Sequence, residues 1–166
     1  MAASSEKAEL SQALAEQREL LLITLRGLDD TQAARRTTVS ELTLGGIVRH
    51  LAQGERTLTQ TMARGDGELP EGMLDMEQYR MGEGDTLAGL LERYAQTARA
   101  TEEAVAALPD LDVRVPLPRT PWSPPGPEYC SARQILLHMI RETAQHAGHA
   151  DVIREALDGA NTTALR

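Results

Sequence analysis

Four long stretches with helical spacing of apolar residues limit the folds open to this chain of 166 residues. The spacing of three to four positions places apolar side chains on one side of each helix. The composition, rich in Ala, Leu, Glu, Arg and Gln without any Phe, disfavours a β-sandwich. The sequence therefore predicts an all-α four-helix bundle. The predicted helices cover Glu6 to Leu28, Ser40 or Thr43 to about Arg64, Thr86 to Leu108, and Ser131 to Leu157.

The connections between these helices contain the residues that end helices. The first helix should end near Gly27, followed by a short turn through Ala34 and a polar loop over 35–40. Residues 65–83 are rich in glycine and acids, which predicts a long connection with one short turn at 73–79. The expected helix caps are Ser5, Asp85 and Ser131 at the starts and Gly159 at the end of the last helix.

Residues 109–128 contain seven of the eight prolines and the only tryptophan, Trp122. No helix tolerates that density of proline. A long loop inside a compact protein is usually functional or disordered, and Trp122 favours order. We interpret the segment as a Pro-rich loop that closes over the core. A compatible hypothesis makes this loop one wall of a pocket, with Trp122 as a pocket residue.

Charge and composition limit the kinds of molecule that this protein can bind and the compartment that suits it. The net charge of −8 argues against nucleic acid and against an anionic membrane surface. No apolar run approaches the ~20 residues of a membrane span, and no signal pattern precedes Glu6. The single cysteine, Cys130, excludes an internal disulfide and fits a reducing cytoplasm. We expect one domain over 1–166, frayed at 1–5 and 160–166; the broad apolar helix faces are compatible with a homodimer.

Three of the four histidines lie in the last predicted helix. At ~100° per residue, His138, Glu142, His146 and His149 fall within roughly 80° of one another. Apolar Met139 lies on the same side, which a helix normally turns inward. Imidazoles and a carboxylate on an inward face indicate a binding or catalytic site.

Helical bundles build metal sites from ligands on facing helices. Glu142 and His146 have i, i+4 spacing, as do His138 and Glu142, and His50 of the second helix can supply a third ligand. Two imidazoles, one carboxylate and an open position match a catalytic zinc or related divalent site. The spacing alone leaves open which of these residues bind, and His50, taken alone, is better explained as a capped or half-exposed histidine. Cys130, beside a helix start, could have a lowered pKa, but a structural role is favoured.

Two segments together resemble the DinB/YfiT-like metalloenzyme superfamily. The segment 44–52, Leu-Gly-Gly-Ile-Val-Arg-His-Leu-Ala, followed by Glu55-Arg56, is similar to its second helix, and 138–151 is similar to its last. Residues 19–28 also fit its first helix, so the resemblance covers most of the chain and is weakest over 65–83. It implies a four-helix bundle with one metal ligand on the second helix and two on the last.

The usual ligand pair on the last helix of this superfamily is His-x-x-x-His, whereas here Glu142 precedes His146. That pattern resembles the branch that contains mycothiol-dependent maleylpyruvate isomerase. The resemblance implies that His50, Glu142 and His146 are the ligands. A shift by one turn would substitute His138 or His149. The residues expected to line the pocket or to orient the ligands are His138, His149, Trp122 and Glu55.

The resemblance also implies a chemistry. A divalent ion would activate a low-molecular-weight thiol of the mycothiol or bacillithiol class for transfer to a small electrophilic substrate, which makes the protein a thiol transferase or isomerase. Zinc is the first expectation, although nickel, iron and manganese use similar ligands. The alternative is a non-catalytic bundle that binds a metal or senses a small molecule. A closed four-ligand site, for instance with His149 added, would favour that alternative.

Overall fold

A computed structural model describes residues 5–166 and confirms the all-α bundle. No described helix is long and apolar enough to cross a membrane. The fraying expected at residues 1–5 mostly concerns residues 1–4, which lie outside the residues that the structure describes. The elements are α1 Glu6–Ile23, α2 Asp30–Ala33, α3 Leu44–Arg64, a 3-10 turn Met76–Tyr79, α4 Leu87–Ala107, β1 Arg114–Pro116, β2 Tyr129–Ser131, α5 Ala132–Asp158 and α6 Thr162–Leu165.

The four long helices pack in a ring in which α1 lies beside α5 and α4, and α3 lies beside α4 and α5. Helices α1 and α3 therefore stand on a diagonal. Glu6 and Arg133 form an ion pair at the starts of α1 and α5. Near their ends, the buried Arg154 guanidinium donates to the Thr24 carbonyl at 2.7 Å. Helices α1 and α5 consequently run in the same direction.

The connection between α3 and α4, residues 65–86, returns along the length of the bundle. Its Met81 side chain lies against Gly45 at the start of α3. The Leu87 backbone N–H donates to Asp30, just beyond α1, at 2.7 Å. Helix α4 therefore begins at the same end of the bundle as α3, and both run opposite to α1.

Two predicted boundaries are wrong, for local reasons. Helix α1 ends at Ile23, because the chain turns over the next residues to Gly27, whose φ is +73°. Thr86, not Asp85, caps α4, since its hydroxyl accepts the backbone N–H three residues on. The Asp85 carboxylate instead accepts the Gly82 N–H at 2.7 Å. The other expected caps, Ser5, Ser131 and Gly159, are confirmed.

The Pro-rich loop contains two short strands that the sequence did not indicate. Strands β1 and β2 pair antiparallel, with Val115 opposite Cys130. Val115 is fully buried and, with Leu111, packs into the core near the start of α5. The loop therefore covers one end of the core, as expected for a closing segment.

The expected fraying of residues 160–166 is wrong, because Thr162–Leu165 form the short helix α6. Thr162 donates from its backbone N–H and from its hydroxyl to Asp151 on α5, at 2.8 and 2.5 Å. These two bonds fix the start of α6 against α5, which spacing patterns in the sequence did not predict.

A buried polar layer divides the core into two apolar clusters. One cluster surrounds Leu51 and Leu90, and the other surrounds Leu14 and Leu136. Between them every long helix places polar side chains in the interior. The buried members of this polar layer are Arg18 on α1, Glu55 and Thr59 on α3, Thr97 and Thr101 on α4, and Thr143 on α5.

The Arg18–Glu55 ion pair is the centre of the polar layer. Arg18 Nη2 lies 2.5 Å from Glu55 Oε1, and Nε lies 3.2 Å from Oε2, so the contact is bidentate. Thr101 Oγ1 donates to Glu55 Oε1 at 2.7 Å. The two charged residues are only 6% and 5% exposed. Because desolvation costs several kcal/mol per ion, each charge depends on the other, and the pair ties α1 to α3 across the diagonal.

Replacing Arg18 with Met should destabilise the protein by about 3–5 kcal/mol, because it leaves the Glu55 carboxylate buried without its counter-ion. Urea unfolding measures this loss. The double variant Arg18→Met/Glu55→Leu should lose less than Arg18→Met alone. Arg99→Met, which removes an ion pair exposed to solvent, is the control and should change stability much less. Equal losses from Arg18→Met and Arg99→Met would contradict this account.

Candidate metal centre

His50 on α3 faces Glu142 and His146 on the adjacent helix α5. One ligand atom from each residue lies within 4.8 Å of the others. The imidazole rings of His50 and His146 are 4.9 Å apart at 67°. Within residues 5–166 no other set of three His, Cys, Asp or Glu side chains meets this spacing. The i, i+4 pair and the packing of α3 on α5 together create the cluster.

The cluster fits a divalent ion. His50 Nδ1 is buried and has no hydrogen-bond partner in the described part of the chain. Leaving such a group unpaired costs about 1–3 kcal/mol, which a metal bond would offset. Zinc, at ~2.0–2.2 Å from N and O ligands, holds its ligands roughly 3–3.5 Å apart. The three ligand atoms lie within 4.8 Å of one another, so side-chain rotation has to bring them closer when an ion binds.

Burial also sets the protonation of the two imidazoles. Desolvation lowers the pKa of His50, although Gln78 and Glu142 oppose the shift. Desolvation, with the like charges of His50 and His149, lowers the pKa of His146 to about 4. His146 is therefore neutral at pH 7, as a metal ligand must be.

The 3-10 turn of the long connection supplies two site residues that the sequence analysis missed. Tyr79 stacks on His50 with ring centroids 4.4 Å apart and planes at 22°. The neighbouring Gln78 is buried and raises the pKa of the same imidazole, against the effect of desolvation. The turn approaches this closely because Gly46 has no Cβ, which would stand 2.3 Å from the Tyr79 carbonyl oxygen. The Gly45-Gly46 pair was the only sequence signal of this contact.

A cavity of about 80 Å³ adjoins the cluster between α3 and α5. Glu55 and Thr143 extend the polar layer to its wall, and the other lining residues are divided between titratable and apolar side chains. The structure thus brings the expected pocket residues Glu55 and His138 to the site. The lining residues are His50, Leu51, Gly54, Glu55, Leu58, His138, Met139, Glu142 and Thr143.

The two remaining histidines of α5 flank the cluster without being among its three members. His138 Nδ1 lies 2.5 Å from Arg141 Nη2. His149 Nδ1 lies 3.4 Å from His146 Nδ1, and the two rings pack edge to face. His149 is therefore placed to orient His146.

Trp122 and Cys130 lie apart from this site. The Trp122 side chain is 73% exposed and does not line the cavity, so the structure does not support its expected place in the pocket wall. Its segment packs against the core through Leu111 and Val115 before it and Cys130 after it. Burial raises the pKa of the Cys130 thiol, which corrects the suggestion of a lowered one. Strand β2 holds Cys130 beside Val115, as a structural residue.

A sequence profile described as mycothiol-S-transferase matches residues 9–159. The chain belongs to the mycothiol-S-transferase family. The matched range runs from α1 to the end of α5 and includes His50, Glu142 and His146. Membership of the DinB/YfiT-like superfamily, inferred from the helix motifs, is thereby confirmed. No curated protein matches the chain significantly.

Gly46→Ala should displace Tyr79 from His50, because the new Cβ would meet a backbone carbonyl that cannot rotate away. We expect a loss of about 1–3 kcal/mol in stability. The His50 ring protons should also lose the ring-current shift that Tyr79 imposes, as measured by NMR of the metal-free protein. Gly148→Ala, at an exposed helical glycine with open space around it, is the matched control. Unchanged His50 resonances in Gly46→Ala would contradict the stacking.

Proposed function

We propose that this protein is a divalent-metal-dependent enzyme that transfers a low-molecular-weight thiol, mycothiol first among candidates, to a small electrophile. His50, Glu142 and His146 are the proposed ligands of the ion. Zinc is the preferred metal for a His/carboxylate set, and nickel, iron and manganese are the alternatives. The family described as mycothiol-S-transferase supports the thiol substrate.

The observation that carries the proposal is the convergence of two imidazoles and one carboxylate, together with a buried nitrogen of His50 that has no hydrogen-bond partner among the described residues. Three protein ligands leave a coordination position for substrate, whereas a structural site is usually closed by four. The lining of the adjacent cavity includes two of the three proposed ligands, His50 and Glu142. A small ligand therefore has a place beside them.

A bound divalent ion would act as a Lewis acid and lower the pKa of a thiol held beside it. The chain's own residues prepare that position. Glu142 contributes negative charge that favours a cation, and Tyr79 fixes the plane of His50 by stacking. Leu58 and Met139 keep one side of the cavity apolar, which strengthens the electrostatic effects inside.

The ligand assignment predicts the order of metal affinities. His50→Ala, Glu142→Ala and His146→Ala should each weaken zinc binding by more than about 100-fold, because loss of a supporting residue alone typically costs 10–100-fold. The Kd for zinc is measured on untagged protein by competition with a chelating dye. Gln145→Ala, an exposed position on the same helix, should leave it unchanged. Zinc binding that survives all three ligand substitutions would exclude this site.

The reaction is tested with mycothiol and monochlorobimane, an electrophile that becomes fluorescent when a thiol displaces its chloride. We expect catalysis by the zinc-loaded protein and only the background rate from the metal-free protein and from His146→Ala. Trp122→Ala, far from the cavity and exposed, is the control and should keep the wild-type rate. Tight zinc binding without transfer of mycothiol or bacillithiol would favour the non-catalytic metal-binding bundle instead.

A further inference from the structure

Gly54 is the one position facing the cavity from α3 that has no side chain. His50, Gly54 and Leu58 are spaced four residues apart, so they form one row along the helix. All three line the cavity, opposite the α5 residues His138 and Glu142. The cavity therefore coincides with a gap in a row of otherwise sizeable side chains.

Nothing in the packing of the protein requires a glycine at position 54. Among ordinary residues glycine is the least favourable in a helix interior, after proline. A Cβ on Gly54 would meet no atom within 4 Å, whereas one on Gly45 or Gly46 would collide with Met81 or Tyr79. Gly54 lies inside α3, between two well-formed helical turns. The unfavourable residue thus leaves open space in place of a protein contact.

The open space lies toward the proposed metal ligands. A helical Cα–Cβ bond tilts toward the helix N-terminus, so any side chain at position 54 would lean over the turn that contains His50. The cavity volume of about 80 Å³ equals roughly two to three water molecules at ~30 Å³ each. That room accommodates the terminal CH2–SH group of a thiol and leaves the rest of such a ligand outside the bundle.

We propose that Gly54 is a specificity-determining residue, which keeps open the passage for the CH2–SH end of the thiol to His50, Glu142 and His146. The inference rests on the proposed thiol-transferase function. It assigns Gly54 to ligand access only: metal binding and folding do not need it.

The test compares Gly54→Ala and Gly54→Leu with the same substitutions at Gly148, an exposed glycine of α5 with equally open surroundings. Zinc-loaded proteins are titrated calorimetrically with mycothiol. Gly54→Ala should weaken binding about tenfold, as expected for one extra methyl in a pocket, and Gly54→Leu should abolish it. Zinc content should stay at the wild-type level in all variants. The Tm of Gly54→Ala should rise by about 2–4 °C, as should that of Gly148→Ala.

Mycothiol binding by Gly54→Leu within twofold of wild type, at equal zinc content, would overturn the proposal. If the wild-type protein binds no mycothiol, the proposed function fails by itself, and a second measurement decides the role of Gly54. Diethyl pyrocarbonate is reacted with the metal-free proteins, and labelling of His50 is followed by mass spectrometry. Gly54→Leu should slow this labelling at least about tenfold relative to Gly148→Leu. Equal labelling rates would show that Gly54 does not control access.

Discussion

The buried Arg18–Glu55 ion pair is the constraint on which the rest of the bundle depends. It joins α1 and α3, which share no edge of the helix ring, and it is stable only when both helices hold their register. With α3 fixed in this way, the turn that precedes Glu55 presents His50 and Gly54 to α5. The same carboxylate borders the cavity, so the interaction that orders the core also shapes one wall of the site.

Two glycines of α3, Gly46 and Gly54, border the site and have opposite roles. Gly46 permits backbone contact, and the long connection lies on it closely enough for Tyr79 to cover His50. A Cβ on Gly54, in contrast, would meet no atom within 4 Å, so this residue faces open space. One face of the imidazole is thus closed by the protein, while the row toward Leu58 stays open. This asymmetry is what a metal centre needs if a ligand must enter from one side only.

Local sequence patterns were sufficient for the four long helices, because apolar periodicity acts within one helix. The i, i+4 spacing placed Glu142 beside His146, but only the resemblance to the DinB/YfiT-like superfamily joined them with His50 of another helix. The contact of Tyr79 with His50, the Arg18–Glu55 pairing and strands β1 and β2 were not predictable in this way. Each joins segments distant in sequence, and none leaves a periodic signal. The exposed position of Trp122 shows the same limit, since a lone aromatic in a proline-rich loop does not reveal which face it presents.

A crystal structure of the zinc-loaded protein, with the ion located by anomalous scattering, tests the central claim most directly. The account predicts one ion at ~2.0–2.2 Å from one atom each of His50, Glu142 and His146, with its remaining position directed into the cavity beside Gly54. An ion bound through His138 or His149 in place of one of these residues would contradict the ligand assignment. No ordered ion between α3 and α5 would contradict the metal centre itself.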